Sequence, residues 1–227
     1  MDRPEDYLGA TELCDFDRDS GIADVTRRLT ESCSGQREKF DRVYQYVKEL
    51  PYGLEDWDVR ASETLKKGWG MCCGKTNLLV AMSRVLLIPA RYRVFRIRAE
   101  RKLLARAVEE DSGLAAQLGD LPAEQDHLQC DANLDGWETY DPSRDTAFED
   151  GLRRLDIPLE REPVSDVDGA VHYTILVSID EWAGERQRSR RFREQREAVS
   201  PAFHQHTTAH SALSPCFPSL RVACLSA

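Results

Sequence analysis

GMCCGKTNLLVAMSRVLLIPAR, residues 70–91, is the stretch that decides the fold of this chain. Its apolar residues recur with helical spacing from Cys72 to Leu86, which predicts a helix that faces a core. Pro89 ends the pattern, because proline cannot continue a helix. Residues 91–98 then read RYRVFRIR and alternate charged with apolar side chains, as a half-exposed strand does. The stretch therefore predicts a helix followed directly by a strand.

Shorter patterns on both sides of this stretch predict more helices and strands. Residues 35–50 carry an apolar stripe with helical period, and residues 63–67 form a short helix within a loop. Two strand-like runs, 127–134 and 137–140, flank the dipeptide Asp135-Gly136, which favours a hairpin turn. These runs predict an antiparallel pair of strands.

The remaining patterns complete the predicted fold class. A further helix is expected over about residues 100–118. The residues after Pro142 are rich in loop formers, and residues 171–179 predict a central strand. Helices come first and most strands come later, an order typical of an α+β fold with an antiparallel sheet.

Length and charge limit the class of protein. The 227 residues suffice for one domain with a buried core. The formal net charge of −9 at pH 7 argues against a general affinity for nucleic acid or membrane surfaces. No stretch has the roughly 20 apolar residues of a membrane span, and the first residues lack the pattern of a secretion signal. We expect a cytoplasmic protein that binds neither nucleic acid nor a membrane.

The composition changes after Trp182, where an arginine-rich segment precedes a stretch without clear periodicity. We therefore predict a core domain over residues 1–183 and a weakly ordered appendage over residues 184–227. The tail contains His204, His206 and His210, but neither carboxylates nor cysteines at ligand spacing accompany them. We predict no metal site and no cofactor.

The seven cysteines are irregularly spaced and contain no C-x-x-C pair, which argues against a disulfide framework. Most of them are expected to be small buried residues. Cys72 differs because it stands at the start of a predicted helix, where N–H groups and the helix dipole stabilise a thiolate. Lys75, one turn later, would add a positive charge. A thiolate in this setting can attack an acyl carbon, and backbone N–H groups can hold the resulting oxyanion.

His127 and Asp141 lie on the two strands of the predicted hairpin. If these strands pair, the Asp141 carboxylate can orient the His127 imidazole, which then serves Cys72 as general base and acid. Each residue also has a plainer interpretation. His127 can be a partly exposed strand residue, and Asp141 can be a turn residue before Pro142.

The order of these segments resembles the transglutaminase-like superfamily over about residues 36–145. The matching motifs are Gly70-Met71-Cys72, the Leu-Ile-Pro-Ala-Arg ending of residues 87–91, the strand led by His127, and residues 135–142, which contain Gly-Trp and Asp-Pro. The resemblance implies a papain-like fold in which Cys72 is the nucleophile, His127 the acid and base, and Asp141 the residue that orients it.

Four features of the resemblance bear on the site. Cys73 competes with Cys72, but the family spacing to Pro89 selects Cys72, and adjacent helical residues point about 100° apart. Leu87 replaces the usual glycine of the motif, and the residues after the nucleophile are also unusual. Tyr52 and Trp69 are the candidates for the side chain that assists the oxyanion in relatives, and for each of them the interpretation as a packing residue is favoured.

The resemblance implies acyl transfer at a peptide or protein carboxamide through a thioester. Hydrolysis by an amidohydrolase or cysteine peptidase is favoured, because the sequence lacks the calcium-site and accessory-domain signals of the animal cross-linking enzymes. Transfer to a lysine amine and a catalytically silent binding module remain alternatives. Nucleotide binding through Gly74-Lys75-Thr76 is disfavoured, because Trp69 stands where a P-loop requires glycine.

Overall fold

A computed structural model describes residues 3–18, 20–53, 55–98, 124–154, 156 and 158–187. Within these ranges the elements in chain order are a 3-10 helix Pro4–Tyr7, α1 Ser20–Thr30, α2 Gln36–Lys48, α3 Ala61–Lys67, α4 Cys72–Val85, β1 Ala90–Arg98, β2 Glu124–Asn133, β3 Trp137–Tyr140, α5 Thr146–Arg154, β4 Thr174–Leu176 and α6 Asp180–Gln187. The helix predicted for residues 100–118 and most of the predicted appendage lie outside the described residues.

The four described strands form one antiparallel sheet in the order β3-β2-β1-β4. The long pair β1–β2 runs from Ala90 opposite Ala132 to Arg98 opposite Glu124. The hairpin between β2 and β3 turns at Asp135-Gly136, and Gly136 has a φ of 148°, a conformation that glycine adopts readily. The predicted α+β class with an antiparallel sheet is confirmed.

Helix α4 is the centre of the fold. It packs against β1 and β2 and also against α1, α2 and α3. Its residues from Cys72 to Arg84 are all buried. A helix buried on every side has no solvated polar face, so its polar residues, such as Lys75 and Arg84, make their hydrogen bonds inside the fold.

Arg84 near the end of α4 ties distant parts of the chain together. Its guanidinium is only 1% exposed, and it donates to the carbonyl oxygens of Gly9, Ala90 and Val177. A buried cation is tolerated when its N–H groups are paired in this way. Arg84 therefore fastens the N-terminal segment and the segment after β4 to the start of β1.

Three expectations about the elements are wrong. Strand β2 begins at Glu124, so His127 is its fourth residue. The run 171–179 is no central strand, because within it only Thr174–Leu176 form a strand, and this strand lies at the edge of the described sheet beside β1. Its β-branched composition indicated extended backbone but not the number of neighbouring strands. The loop-rich stretch after Pro142 contains α5.

Several elements differ from the sequence predictions or have no counterpart in them. Helix α3 begins at Ala61, two residues before the predicted start. Helix α1 was not predicted. Helix α6 spans residues 180–187, so the chain is helical across residue 183, the predicted end of the core domain.

Among the described residues, no helix combines the length and the apolar composition needed to cross a bilayer.

Candidate active site

Cys72 is the first residue of α4 and is 6% exposed. Met71 before it has extended backbone, so the chain enters the helix directly at the cysteine. Cys73 is fully buried, and its Sγ donates to the carbonyl oxygen of Trp57 at 3.0 Å. The prediction that Cys73 is a core residue is confirmed.

The direction of α4 relative to the sheet follows from two contacts. Near the end of the helix, Arg84 Nε donates to the carbonyl oxygen of Ala90, the first residue of β1. Near its start, Thr76 Oγ1 donates to the carbonyl oxygen of Leu128 in β2 at 3.3 Å. Leu128 pairs with Val94, four residues along β1. Helix α4 therefore runs antiparallel to β1, and its N-terminus lies over the first half of β2.

This direction sets the level of Cys72 along the sheet. Cys72 precedes Thr76 by about one helical turn, roughly 6 Å along the axis. The same distance corresponds to roughly two residues of a strand. Two residues before Leu128 in β2 is Asp126, so a helix axis aligned with the strands would bring Cys72 to the level of Asp126 and His127. That the predicted nucleophile and the predicted base meet at this end of the sheet stays a prediction.

His127 and Asp141 are in direct contact. His127 Nε2 and Asp141 Oδ2 are 2.7 Å apart, and the histidine is 1% exposed. Phe95, directly opposite His127 in β1, packs against the imidazole edge to face. Because Nε2 is paired with Asp141, the other ring nitrogen, Nδ1, is the one that can interact with a further group. The structure thus brings together two of the three predicted side chains.

The Asp141 carboxylate has further partners. The backbone N–H of Ser143 donates to Oδ1 at 2.9 Å, and Arg161 Nε lies 3.3 Å from Oδ2. Tyr44 donates its hydroxyl to the Asp141 backbone carbonyl oxygen at 3.2 Å. Both carboxylate oxygens and the backbone of this residue are therefore fixed by neighbouring groups.

Charges and burial affect the histidine and the carboxylate differently. Burial lowers the pKa of His127 and the positive charge of Arg161 lowers it further, although Asp141 acts in the opposite direction. Burial would raise the pKa of Asp141, but His127, Arg161 and Ser143 outweigh it and hold this pKa well below 3.8. These effects favour the ionised form of the carboxylate and the neutral form of the imidazole.

Lys75 differs from its predicted role beside the thiol. Its side chain is fully buried, and Nζ donates to the carbonyl oxygens of Lys48, Leu50 and Ser143. Burial lowers the pKa of Lys75 to about 7, although Asp145 acts to raise it. Lys75 thus links α4 to the end of α2 and to the loop that follows Asp141.

A buried carboxylate lies at the start of α4. Glu55 Oε1 accepts the backbone N–H of Met71 at 2.7 Å, and Oε2 forms an ion pair with Lys67. A Cβ atom on Gly74 would lie 2.2 Å from Oε1, and one on Gly70 would lie 3.0 Å from it. The two glycines therefore leave room for this carboxylate, which we call the Glu55 cradle (Glu55, Lys67, Gly70 and Gly74).

The two candidates for assisting the oxyanion both lie next to the loop before Cys72. Tyr52 forms a parallel bridge with Gly70, and its ring stacks on Phe148. The Trp69 ring packs closely against Gly53, and Lys67 Nζ lies over the ring, 4.5 Å from its centre, in a cation–π contact. Both rings have packing partners, and the choice between them stays a prediction.

Glu55 and Arg161 belong to the site and were missed in the sequence. Glu55 stands 17 residues before Cys72 in a loop, and Arg161 stands 20 residues after Asp141 in a stretch without periodicity. No motif or spacing in the chain distinguishes either residue from other charged residues. Only their positions in the folded chain reveal them.

The family model for the transglutaminase-like superfamily matches residues 23–142, more than half of the chain. This chain belongs to the transglutaminase-like superfamily. The matched segment contains Cys72, His127 and Asp141, and membership supports a cysteine-nucleophile enzyme in general terms. The matched segment ends before Arg161. No curated protein is detectably similar to this transglutaminase-like chain.

Two solved structures are similar to this transglutaminase-like chain. A candidate cysteine protease from Cytophaga hutchinsonii is 18% identical, over 75% of this chain and 50% of that one, with a TM-score of 0.45. A candidate protease from Parabacteroides distasonis is 16% identical, over 62% of this chain and 25% of that one, with a TM-score of 0.38. The matched regions span half or less of these two proteins.

Proposed function

We propose that this transglutaminase-like chain is an amidohydrolase or cysteine peptidase that cleaves a peptide or protein carboxamide with Cys72 as nucleophile. The observation that carries the proposal is the 2.7 Å contact between His127 and Asp141, in the sheet against which the helix that begins at Cys72 packs. A buried imidazole oriented by a carboxylate beside a thiol at a helix start is an arrangement that activates a nucleophile.

In the proposed acylation step, the Cys72 thiol transfers its proton to His127 Nδ1 while Sγ attacks the carbonyl carbon. A tetrahedral oxyanion forms, and backbone N–H groups at the start of α4 can stabilise it. The C–N bond then breaks, and the imidazolium returns the proton to the departing amine or ammonia. The product is a thioester on Cys72.

In the proposed deacylation step, water attacks the thioester carbon and gives its proton to His127. The C–S bond breaks, a carboxylic acid leaves, and the thiolate recovers the proton from His127. The role of Asp141 in both steps is to keep Nε2 of His127 protonated and paired, so that Nδ1 carries the exchangeable proton. A lysine amine in place of water would give a cross-link instead of an acid.

The test uses the full chain and a pool of peptide and protein carboxamides. We expect the wild type to release amine or ammonia and to carry an acyl adduct that mass spectrometry locates on Cys72. Cys72→Ala should lose both signals. Cys73→Ala, which makes the same change one residue later, should retain them. Equal activity in wild type and Cys72→Ala would refute the proposal.

The same experiment separates the alternatives. Amine incorporation that exceeds hydrolysis when a lysine analogue is added would identify a cross-linking enzyme. Binding of a carboxamide peptide with no adduct and no release would identify a binding module. Either result would replace the hydrolase proposed here.

A further inference from the structure

A segment beyond the family match lies along the end of β1. The backbone N–H of Arg98 donates to the carbonyl oxygen of Glu162, and the N–H of Val164 donates to that of Arg96, both at 2.9 Å. Ile97 also forms an antiparallel bridge with Pro163. Residues 161–165, which we call the strap, are thus held by backbone hydrogen bonds to the sheet.

The strap places Arg161 on the carboxylate that contacts the histidine. Arg161 Nε lies 3.3 Å from Asp141 Oδ2, the same oxygen that contacts His127 Nε2. Its Nη2 donates to Ser143 Oγ, and the backbone N–H of Ser143 donates to the other carboxylate oxygen. The Arg161 side chain is 14% exposed, so solvent screens this interaction only weakly.

We propose that Arg161 is a positioning residue that fixes the Asp141 carboxylate against His127 and offsets part of the negative charge that this carboxylate presents to the imidazole. The catalytic role given to Arg161 rests on the proposed function. The contacts of Arg161 with Asp141 and Ser143 do not depend on it.

The physical reason is that Asp141 Oδ2 interacts with two donors at once. A carboxylate stabilises an imidazolium by its negative charge, and a guanidinium at 3.3 Å offsets much of that charge. Arg161 and Arg144 both act to lower the pKa of His127, and Asp141 acts to raise it. The positive charge from the strap thus favours the neutral histidine.

Other groups around the carboxylate do not reverse this balance. Tyr44 donates to the backbone of Asp141 and leaves its carboxylate charge unchanged. Lys75 also interacts electrostatically with Asp141, and its charge has the same sign as that of Arg161. Phe95, which packs against the imidazole, is apolar and supports burial.

The chemical consequence concerns the proton that His127 carries. With part of the carboxylate charge offset, His127 holds the Cys72 proton less strongly and passes it more readily to the leaving group. The rising acid limb of kcat/KM then lies at a lower pH than it would without Arg161.

The test is an NMR titration of the His127 imidazole, assigned with a His127→Gln variant. In Arg161→Gln we expect the titration midpoint to rise by about one pH unit, because a nearby positive charge has been removed. Arg161→Lys keeps the charge and should restore most of the wild-type midpoint. Arg98→Gln is the matched control, because it removes an exposed ion pair to Glu162 of the same strap without touching Asp141.

An unchanged midpoint in Arg161→Gln, with the protein folded, would overturn the inference. If that variant does not fold, Ser143→Ala removes only the hydroxyl that anchors the guanidinium, and its midpoint should also rise, by a smaller amount. No change in Ser143→Ala would then count against the inference. The titration needs no turnover, so it can fail or succeed independently of the Cys72 assay. If turnover is found, the acid limb of kcat/KM should move with the midpoint.

Discussion

Glu55 accepts a hydrogen bond from the backbone N–H of Met71 at 2.7 Å, which places a buried carboxylate immediately before Cys72. The N–H groups at the start of α4 and the helix dipole favour a thiolate. The Glu55 charge opposes this effect, and its ion pair with Lys67 reduces the opposition. The ionisation of Cys72 is therefore set by a balance that the helix start alone does not describe.

Removing the charge of Glu55 tests whether this carboxylate opposes the ionisation of Cys72. Glu55→Gln keeps an oxygen acceptor for the Met71 N–H and removes the negative charge, while Lys67 remains. We expect the pH midpoint of Cys72 alkylation to fall by about one pH unit, because a nearby like charge has been removed. The measurement is the rate of iodoacetamide labelling against pH, read by mass spectrometry at Cys72.

Glu63→Gln serves as the control for this prediction, because Glu63 is an exposed residue of the neighbouring helix α3. Its labelling midpoint should equal that of the wild type. A midpoint in Glu55→Gln that stays the same or rises would show that Glu55 has only a structural role.

The Glu55 cradle also predicts a difference between two glycines. Gly74→Ala would put a Cβ atom 2.2 Å from Glu55 Oε1 and 2.7 Å from Thr64 Oγ1, so the buried carboxylate must move. We expect the free energy of unfolding in urea to fall by about 1–3 kcal/mol, as overpacking of a core usually costs. In Gly151→Ala in α5, the added Cβ atom has nothing within 4 Å, so the free energy of unfolding should rise by roughly 0.5–1 kcal/mol. Equal stability of Gly74→Ala and the wild type would show that the cradle relaxes easily.

Lys75 predicts a pH dependence of stability. Its pKa of about 7 in the folded protein lies below its ordinary value of 10.5, so the unfolded chain binds more protons between these values. The contribution of Lys75 to the free energy of unfolding therefore rises as the pH increases from 7 towards 10.5. The stability of the wild type relative to Lys75→Met should rise with pH over this window.

Urea unfolding at several pH values between 6 and about 9 measures this difference, because the other titrating groups cancel between the two proteins. Lys66→Met, at an exposed position of α3, should show a difference from the wild type that does not vary with pH. Parallel profiles for the wild type and Lys75→Met would mean that Lys75 titrates near its ordinary value.

The sequence predicted the elements whose pattern is local. The helix beginning at Cys72 and the strand after Pro89 were located to within one residue, because helical and alternating periods are direct consequences of burial. The turn at Asp135-Gly136 also predicted that His127 and Asp141 approach each other, since adjacent strands of a hairpin must pair.

Features set by the whole fold could not be predicted in this way. The run around Thr174 indicated extended backbone, but its place at the edge of the sheet depends on which strands lie beside it. The position of Lys75 three residues after Cys72 suggested proximity, yet its long side chain reaches backbone carbonyls of other segments. Arg161 contacts Asp141 only because the strap pairs with β1, and no local pattern encodes that pairing.

Arg84 has a consequence for the order in which the chain folds. Its carbonyl partners on Gly9 and Val177 lie 75 residues before it and 93 residues after it in the sequence. During synthesis, the central helix would be made long before Val177, and burying the guanidinium at that stage leaves a donor without its acceptor, at a cost of about 1–3 kcal/mol. Long-range contacts of this kind slow folding and make it cooperative. We therefore expect the nascent chain to reach its native core late and in one concerted step.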